Sequence, residues 1–319
     1  MVLSGLKKYP ELNLNAIVAV TDSGGSTGHL RDEYGTLPVG DIRQCIVALA
    51  DSTNGHNILR ELLMYRFDKG DVKGHNFGNL FLTALTEMLG SEEAAIQQAA
   101  KILHIRGNVI PISNEKIDLV ANYEDGTELV GEHLIDEPDE NHNCQQRISD
   151  LKVQPLAQIS LKAKTAILES DYIILGPGDL YTSILPNVVV GGAKEALCNS
   201  KAKIIYIVNL MTKNGQTTDY TAQDHVNDII KYSGRTPDYI FINNSQLPNN
   251  ILTNYQEEYA FPVIDDVVED ANTKSIIIRS DFVSDELVKK QDSDILKRSL
   301  IRHDSTKVAE TIMAIANLD

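Results

Sequence analysis

Short apolar runs alternate with helical stretches along most of this chain. Runs rich in Ile and Val occupy residues 16–20, 172–175, 204–208 and 239–242, and each leads into a segment rich in Gly, Asn, Ser or Thr. Such runs are typical of strands buried on both faces of a parallel sheet. Because helical patterns lie between them, we predict an α/β fold with three layers: a mostly parallel, Rossmann-like sheet covered by helices on both faces.

The helical stretches are predicted to begin near residue 42 and to cover 57–103 and 221–232. Ser91 precedes two glutamates and is a predicted N-cap, because its hydroxyl can accept a hydrogen bond from a first-turn N–H. A polar segment at 70–78 is expected to form a loop within the second stretch.

Residues 107–160 have a different character. The segments 116–123 and 127–135 are joined by Glu-Asp-Gly, which predicts a β-hairpin, and the polar residues 137–147 predict a loop. We therefore expect one α/β domain over 1–319, with 107–160 as a β-rich excursion from the sheet.

Composition restricts the classes of partner. The 319 residues carry a formal net charge of −16, which argues against nucleic acid or an anionic membrane as the main partner. Any phosphate group must therefore be held mainly by backbone amides and a few placed cations. Cys45, Cys144 and Cys198 form no closely spaced pair, and no apolar run is long enough to span a bilayer. We expect a cytoplasmic protein without membrane insertion.

The segment after the first apolar run concentrates the candidate chemistry. It reads TDSGGSTGHLRDEYGTLPVGDIRQ and covers residues 21–44. Its glycines at 24, 25 and 28 would let backbone N–H groups approach an anion, and the helix near residue 42 would present its positive end nearby. The spacing is neither the dinucleotide fingerprint nor the P-loop. Taken alone, it favours an ordinary strand-to-helix connection.

Four further segments change this interpretation. Together with residues 21–44, the segments 74–88 (GHNFGNLFLTALTEM), 175–190 (LGPGDLYTSILPNVVV), 209–226 (NLMTKNGQTTDYTAQDHV) and 300–305 (LIRHDS) resemble the gluconeogenesis factor family. That bacterial family is related in fold to 2-phospho-L-lactate transferase. The resemblance implies a regulator that binds a nucleotide sugar such as UDP-N-acetylglucosamine and links carbon metabolism, cell-wall synthesis and cell shape.

The resemblance also implies a ligand site at the strand ends. The implied ligand-binding residues are Asp22, Gly24, Gly25, Ser26, Gly28, Asp41, Arg43, Asn76, Asn79, Gly176, Gly178, Tyr181, Thr182, Asn209, Thr212, Tyr255 and Arg302. Among them, Asp22 is expected to bind a ribose hydroxyl or a Mg²⁺ ion, Tyr255 to stack on a base or sugar, and Arg302 to contact a diphosphate. Each residue type also has an ordinary structural role as a cap, a turn residue or a partner in an ion pair.

The chain departs from the family pattern at three places. Ser23 stands where a second Asp is usual, which weakens a metal site with two carboxylates. Asp179 stands where Ser is usual and brings a negative charge toward any phosphate. The first apolar strand and its GGGTG loop, which the family places before the segment matching 6–9, are expected to be missing from this sequence.

Three functions remain open on this reading. The first is a nucleotide-sugar sensor with a regulatory protein partner. The second is a Mg²⁺-dependent transferase of a phosphorylated small molecule, and the third is a protein that binds NAD in place of a UDP-sugar. A homo-oligomer is compatible with each of them. No catalytic residue is assigned, because no Ser or Cys carries a local signature that pairs it with a base.

Overall fold

The computed structural model describes residues 1–51, 57–269, 275–285 and 300–317. The strands are β1 (Asn15–Val18), β2 (Asn108–Pro111), β3 (Asp118–Tyr123), β4 (Glu128–Val130), β5 (Ile148–Gln154), β6 (Tyr172–Leu175), β7 (Lys203–Ile207), β8 (Tyr239–Asn243) and β9 (Ile276–Ser280). The helices are α1 (Val2–Leu6), α2 (Gly25–Tyr34), α3 (Gly40–Leu49), α4 (Asn57–Met64), α5 (Phe77–Leu89), α6 (Glu92–Ile102), α7 (Glu132–Asp136), α8 (Leu161–Glu169), α9 (Ala193–Asn199), α10 (Ala222–Ser233), α11 (Asn249–Glu257) and α12 (Ser305–Ala316).

The predicted α/β fold is confirmed. Strands β6, β7, β8 and β9 form a parallel sheet in that order, and β1 pairs with β2 in a second parallel sheet. The four predicted strands appear as β1, β6, β7 and β8, with bounds shifted by one or two residues at most. Strand β7 is almost completely buried, as expected for an apolar run covered on both faces.

The β-rich excursion contains a three-stranded antiparallel sheet in the order β4-β3-β5. The predicted hairpin is present, with β3 and β4 paired around the Glu-Asp-Gly turn. The second strand is shorter than predicted. Gly131 has φ +107°, a backbone conformation that favours glycine, and the chain then enters the short helix α7. The predicted continuation of the strand to residue 135 was therefore wrong.

The glycine-rich segment is also more ordered than predicted. The sequence predicts a strand-to-helix connection that runs to the helix near residue 42, but α2 already begins at Gly25. Tertiary packing accounts for this difference: a side chain at Gly28 would lie 2.2 Å from the carbonyl oxygen of Ser23, so the helix packs directly on the preceding turn. The sequence did not predict this helix because Gly, Ser and Thr have low helix propensity.

The helical stretch at 57–103 forms α4, α5 and α6. Ser91 caps α6 as predicted, accepting a hydrogen bond from the backbone N–H of Ala94. Helix α5 begins at Phe77, before the predicted end of the loop at residue 78, because the side chain of Asn76 accepts the N–H of Asn79 and serves as its N-cap. No helix in the described part of the chain is long and apolar enough to cross a bilayer.

Candidate functional site

The end of β1 meets the start of α3 at the side chain of Asp22. The backbone N–H of Gly24 donates a hydrogen bond of 2.9 Å to Asp22 Oδ1. On the other side, a Cβ atom at Gly40 would lie 2.5 Å from Asp22 Oδ2 and 2.6 Å from the hydroxyl oxygen of Thr27. Because only a glycine leaves this space open, the carboxylate of Asp22 lies directly against the first turn of α3.

Two helices therefore begin beside Asp22. Neither Gly24, the N-cap residue of α2, nor Val39, the N-cap residue of α3, makes a side-chain capping hydrogen bond. The first-turn N–H groups of a helix have no partner within the helix, and together with the helix dipole they attract anions. The geometry thus places two positive helix ends around one carboxylate.

A second polar group joins the excursion to the ends of β6 and β7. Lys213 donates hydrogen bonds to Asp136, at the end of α7, and to Asp179 Oδ2, at 2.7 Å, in the loop after β6. Thr182 and Gln216 each donate to the same oxygen of Asp136 at 3.1 Å. Asp136 is therefore a shared acceptor that connects three segments of the chain: α7, the turn after β6 and the loop after β7.

Several carboxyl groups face one another across this region. Burial, and to a smaller extent the negative charge of Asp22, raise the pKa of Asp41 to about 7. Burial also raises the pKa of Glu132 to about 9, with contributions from Asp22 and Asp136, and it raises the pKa of Asp22. Part of the carboxyl cluster, defined as Asp22, Asp41, Glu132, Asp136 and Asp179, therefore carries protons near neutral pH.

The donor set has a limited capacity for a metal ion. In the ranges that the structure describes, no group of three or more His, Cys, Asp or Glu side chains is placed to hold one. Mg²⁺ is commonly bound by only one or two carboxylates, with water and ligand phosphates completing its octahedral shell. Asp22 fits that mode of binding, since it lies beside two helix N-termini where a phosphate would be attracted. The Mg²⁺ would neutralise phosphate charge there.

Comparisons with known proteins identify the family. A sequence profile of the family described as "2-phospho-L-lactate transferase CofD" matches residues 1–283. The "Putative gluconeogenesis factor" of Thermotoga maritima is 39% identical over 317 residues, covering 99% of this chain and 95% of its relative. The "Gluconeogenesis factor" of Bacillus subtilis is 38% identical and covers 98% of this chain and 93% of its own. This chain belongs to the gluconeogenesis factor family.

Solved structures agree with that assignment. A crystal structure of protein BH3568 from Bacillus halodurans superposes with a TM-score of 0.86 at 36% identity, covering 98% of this chain and 94% of that one. The chain therefore has the same fold as that solved structure.

Four of the implied ligand residues form a buried framework behind the start of α3. Arg43 Nε donates to Asn79 Oδ1 at 2.9 Å, and Asn79 Nδ2 donates to the hydroxyls of Ser26 and Thr27. The N–H of Asn76 also donates to Ser26. These side chains are almost completely buried, so they support the N-termini of α2 and α3 from within.

Tyr181 is also placed in the interior. It is fully buried in the π-helical turn Leu180–Ile184, and its hydroxyl donates to Asp228 and contacts the hydroxyl of Tyr220 at 2.9 Å. Burial raises the pKa of Tyr181 far above its usual range, and the neighbouring Tyr220 and Asp228 raise it further. The residue anchors the loop after β6 to α10.

Asn209 connects the ends of β6 and β7. Its Nδ2 donates to the carbonyl oxygen of Gly178 at 2.8 Å, and its Oδ1 accepts no hydrogen bond from the described residues. Gly176 has φ +87° and lies close to the carbonyl oxygen of Ile207, where a larger residue would be strained. The loop Gly176–Gly178 therefore adjoins β7, as expected because β6 and β7 are parallel neighbours and end at the same edge of the sheet.

Three implied residues lie in a neighbouring group. Thr212 exchanges hydrogen bonds with the backbone of Phe261. The hydroxyl of Tyr255 accepts the backbone N–H groups of Leu300 and Ile301 at 2.8 and 3.0 Å, and its ring packs in an apolar cluster that includes Leu210. Arg302 is exposed, between the buried residues Ile301 and His303. Thr212 directly precedes Lys213 in the loop after β7, so this group adjoins the polar group around Asp136 in the chain.

Sequence reasoning missed Glu132, Asp136, Lys213 and Gln216. The first two lie in the excursion, where the sequence predicts strand and loop, and nothing local in the sequence indicates that α7 approaches the strand ends. Lys213 and Gln216 were within a segment that resembles the family. A signal was available there, because Lys213 is a basic residue in the loop that follows a predicted parallel strand.

Proposed function

We propose that this protein binds a nucleotide sugar, with UDP-N-acetylglucosamine as the reference ligand, in the cytoplasm. The diphosphate would lie between the start of α2, the start of α3 and the loop Gly176–Gly178. The observation that carries the proposal is the pair of helix N-termini beside Asp22 that lack side-chain caps. They offer backbone donors to a phosphate at the strand ends, where ligands bind in α/β sheets.

The charge of the site supports binding with a cation. Asp22 and Asp179 are acidic, so a diphosphate would meet repulsion unless protons, Lys213 or a bound Mg²⁺ offset it. The raised pKa values of Asp41 and Glu132 provide part of this compensation. We therefore propose that Mg²⁺ strengthens ligand binding through Asp22.

The biological role that we propose is regulatory. Relatives at 36–39% identity bear the name gluconeogenesis factor, which supports a link to carbon metabolism. Binding of the nucleotide sugar would shift the population of a conformation that a protein partner recognises, and would report the supply of cell-wall precursors. Control of cell-wall synthesis and of cell shape follows from such a sensor.

A second candidate is a Mg²⁺-dependent transferase acting on a phosphorylated small molecule. Two observations favour it: the match to the 2-phospho-L-lactate transferase profile and the carboxyl cluster beside the helix N-termini. In such an enzyme the protein would act by positioning and by neutralising charge on a diphosphate.

Calorimetric titration with UDP-N-acetylglucosamine, with and without Mg²⁺, tests the proposal. We expect micromolar binding that Mg²⁺ tightens, with the ligand recovered intact. Asn209→Ala, which frees the carbonyl of Gly178, should weaken binding about tenfold, as expected for the loss of one positioning hydrogen bond. Asn227→Ala, on the exposed side of α10, is the matched control.

Three other results would redirect the proposal. Mg²⁺-dependent consumption of the ligand would favour the transferase. Tighter binding of NAD than of UDP-N-acetylglucosamine would favour an NAD protein. The absence of binding to any of these ligands would reject the nucleotide-sugar proposal.

A further inference from the structure

Lys213 has donor capacity beyond its two ion pairs. An ammonium group carries three N–H donors. Two of them are directed to Asp136 and Asp179 in the described structure. About a third of the side-chain surface of Lys213 is accessible, so the remaining donor is within reach of a bound molecule. The nearby carboxylates keep the ammonium of Lys213 charged. The free-energy cost of burying these carboxylates is offset only while the ammonium stays beside them.

Gln216 is the second observation, and it is independent of the charges. Gln216 is only 1% exposed, and its Nε2 is fixed by the hydrogen bond of 3.1 Å that it donates to Asp136 Oδ1. The other amide atom, Oε1, accepts no hydrogen bond from the described residues. A buried amide oxygen without a donor is costly, and such groups are usually satisfied by water or by a ligand.

Both groups are oriented by one atom. Asp136 Oδ1 accepts from Lys213, from Gln216 and from Thr182. The ammonium of Lys213 and the amide of Gln216 therefore lie beside the same carboxylate oxygen, next to the loop after β6 that contains Asp179. This pairing complements a molecule in which a phosphate oxygen and a hydroxyl group are neighbours, as in a sugar phosphate.

We propose that Lys213 and Gln216 form the subsite for the sugar-phosphate end of the ligand. The ammonium of Lys213 binds an oxygen of the sugar-linked phosphate, and Gln216 Oε1 accepts a hydrogen bond from a sugar hydroxyl. The inference rests on the proposed function in one respect, the identity of the full ligand as a nucleotide sugar. The side chain of Asp179 is tolerated near the phosphate because Lys213 lies between them.

Affinities for UMP, UDP and UDP-N-acetylglucosamine, measured by calorimetry in Mg²⁺ buffer, separate the two roles. Lys213→Gln keeps a hydrogen-bond donor for the carboxylates but loses the charge. We expect it to weaken UDP and UDP-N-acetylglucosamine binding tenfold or more and to leave UMP within about threefold. Gln216→Leu should weaken the UDP-sugar about tenfold and leave UDP unchanged. Lys162→Gln, on the exposed face of α8, is the matched control.

The outcomes distinguish this inference from the proposed function. Equal losses for UMP and UDP, or no loss in either variant, would overturn the subsite. If UDP-N-acetylglucosamine fails to bind while N-acetylglucosamine 1-phosphate binds and depends on Lys213, the subsite stands and the nucleotide-sugar proposal falls. Failure of both probes would overturn both. If Lys213→Gln does not fold, the wild-type protein and Gln216→Leu carry the test, and equal affinities for UMP and UDP in the wild-type protein would contradict the inference.

Discussion

Glu132 and Asp41 link proton binding to stability at the scale of single residues. An unfolded chain has carboxyl pKa values of about 4. In the folded protein, burial raises these values to about 9 for Glu132 and about 7 for Asp41. Between pH 4 and these raised pKa values, the folded state binds more protons than the unfolded state. The free energy of unfolding therefore falls as pH rises. The contribution is complete near pH 4 and is lost as pH passes through 7 and then 9.

Glu132→Gln tests this linkage. The amide resembles the protonated carboxyl, so the variant should unfold with nearly wild-type free energy at pH 5 and be more stable than wild type at pH 9. Urea unfolding across pH 5–9 measures the difference, with Glu140→Gln in an exposed loop as the control. If the wild-type protein shows no decline with pH, or if the variant declines equally, the raised pKa of Glu132 is contradicted.

Tyr255 provides a second test at the residue scale. Its hydroxyl accepts two backbone N–H groups of residues 300–301, so Tyr255→Phe should lower the free energy of unfolding by about 1–3 kcal/mol. Tyr259→Phe, at a side chain that is 63% exposed, should change it by less than about 0.5 kcal/mol. Equal effects in urea unfolding would show that the hydrogen bonds of Tyr255 have no special weight. A role of Tyr255 in stacking on the ligand stays a prediction.

At the scale of elements, the proposed site depends on the helix starts. Gly40 is the first residue of α3 and lies directly against Asp22. A methyl group at this position would lie 2.5 Å from the carboxylate. We expect Gly40→Ala to lower the free energy of unfolding by about 1–3 kcal/mol and to weaken phosphate binding, because either the side chains of Asp22 and Thr27 or the first turn of α3 must move. Thermal and urea unfolding measure the stability.

Gly24→Ala is the matched control for that change. Its backbone is extended, with φ −93°, and a methyl group would meet its nearest neighbours at an ordinary 3.6 Å. The free energy of unfolding should therefore change by less than about 0.5 kcal/mol. A Gly40→Ala protein as stable as Gly24→Ala would contradict the close contact between α3 and Asp22.

The elements differ in how far the sequence could predict them. Contiguous Ile and Val runs predicted β6, β7 and β8 closely, because a strand buried on both faces needs no polar alternation. Strand β2 was missed because it ends in Pro111, a residue that is uncommon within strands. Helix α2 was missed because its residues have low helix propensity and it is stabilised by packing.

At the scale of the whole molecule, topology brings together residues that the sequence keeps apart. The Rossmann-like architecture could be predicted, and so could the concentration of candidate ligand residues at the strand ends. The carboxyl cluster could not, because Glu132 and Asp136 arrive from an antiparallel excursion whose docking depends on long-range contacts such as Lys213 to Asp136. The sequence also could not reveal that Asn79 and Tyr181 face inward, since both residue types serve equally well as ligands and as internal anchors.

We propose that the ligand lies between the starts of α2 and α3 and the loop after β6. Hydrogen exchange with and without UDP-N-acetylglucosamine and Mg²⁺ tests it most directly, because bound backbone amides exchange more slowly. We predict added protection at residues 22–28, 40–43 and 176–183. Protection confined to the cavity between Ser245 and Asp281, beyond the ends of β8 and β9, would contradict the claim, and so would unchanged exchange at saturating ligand.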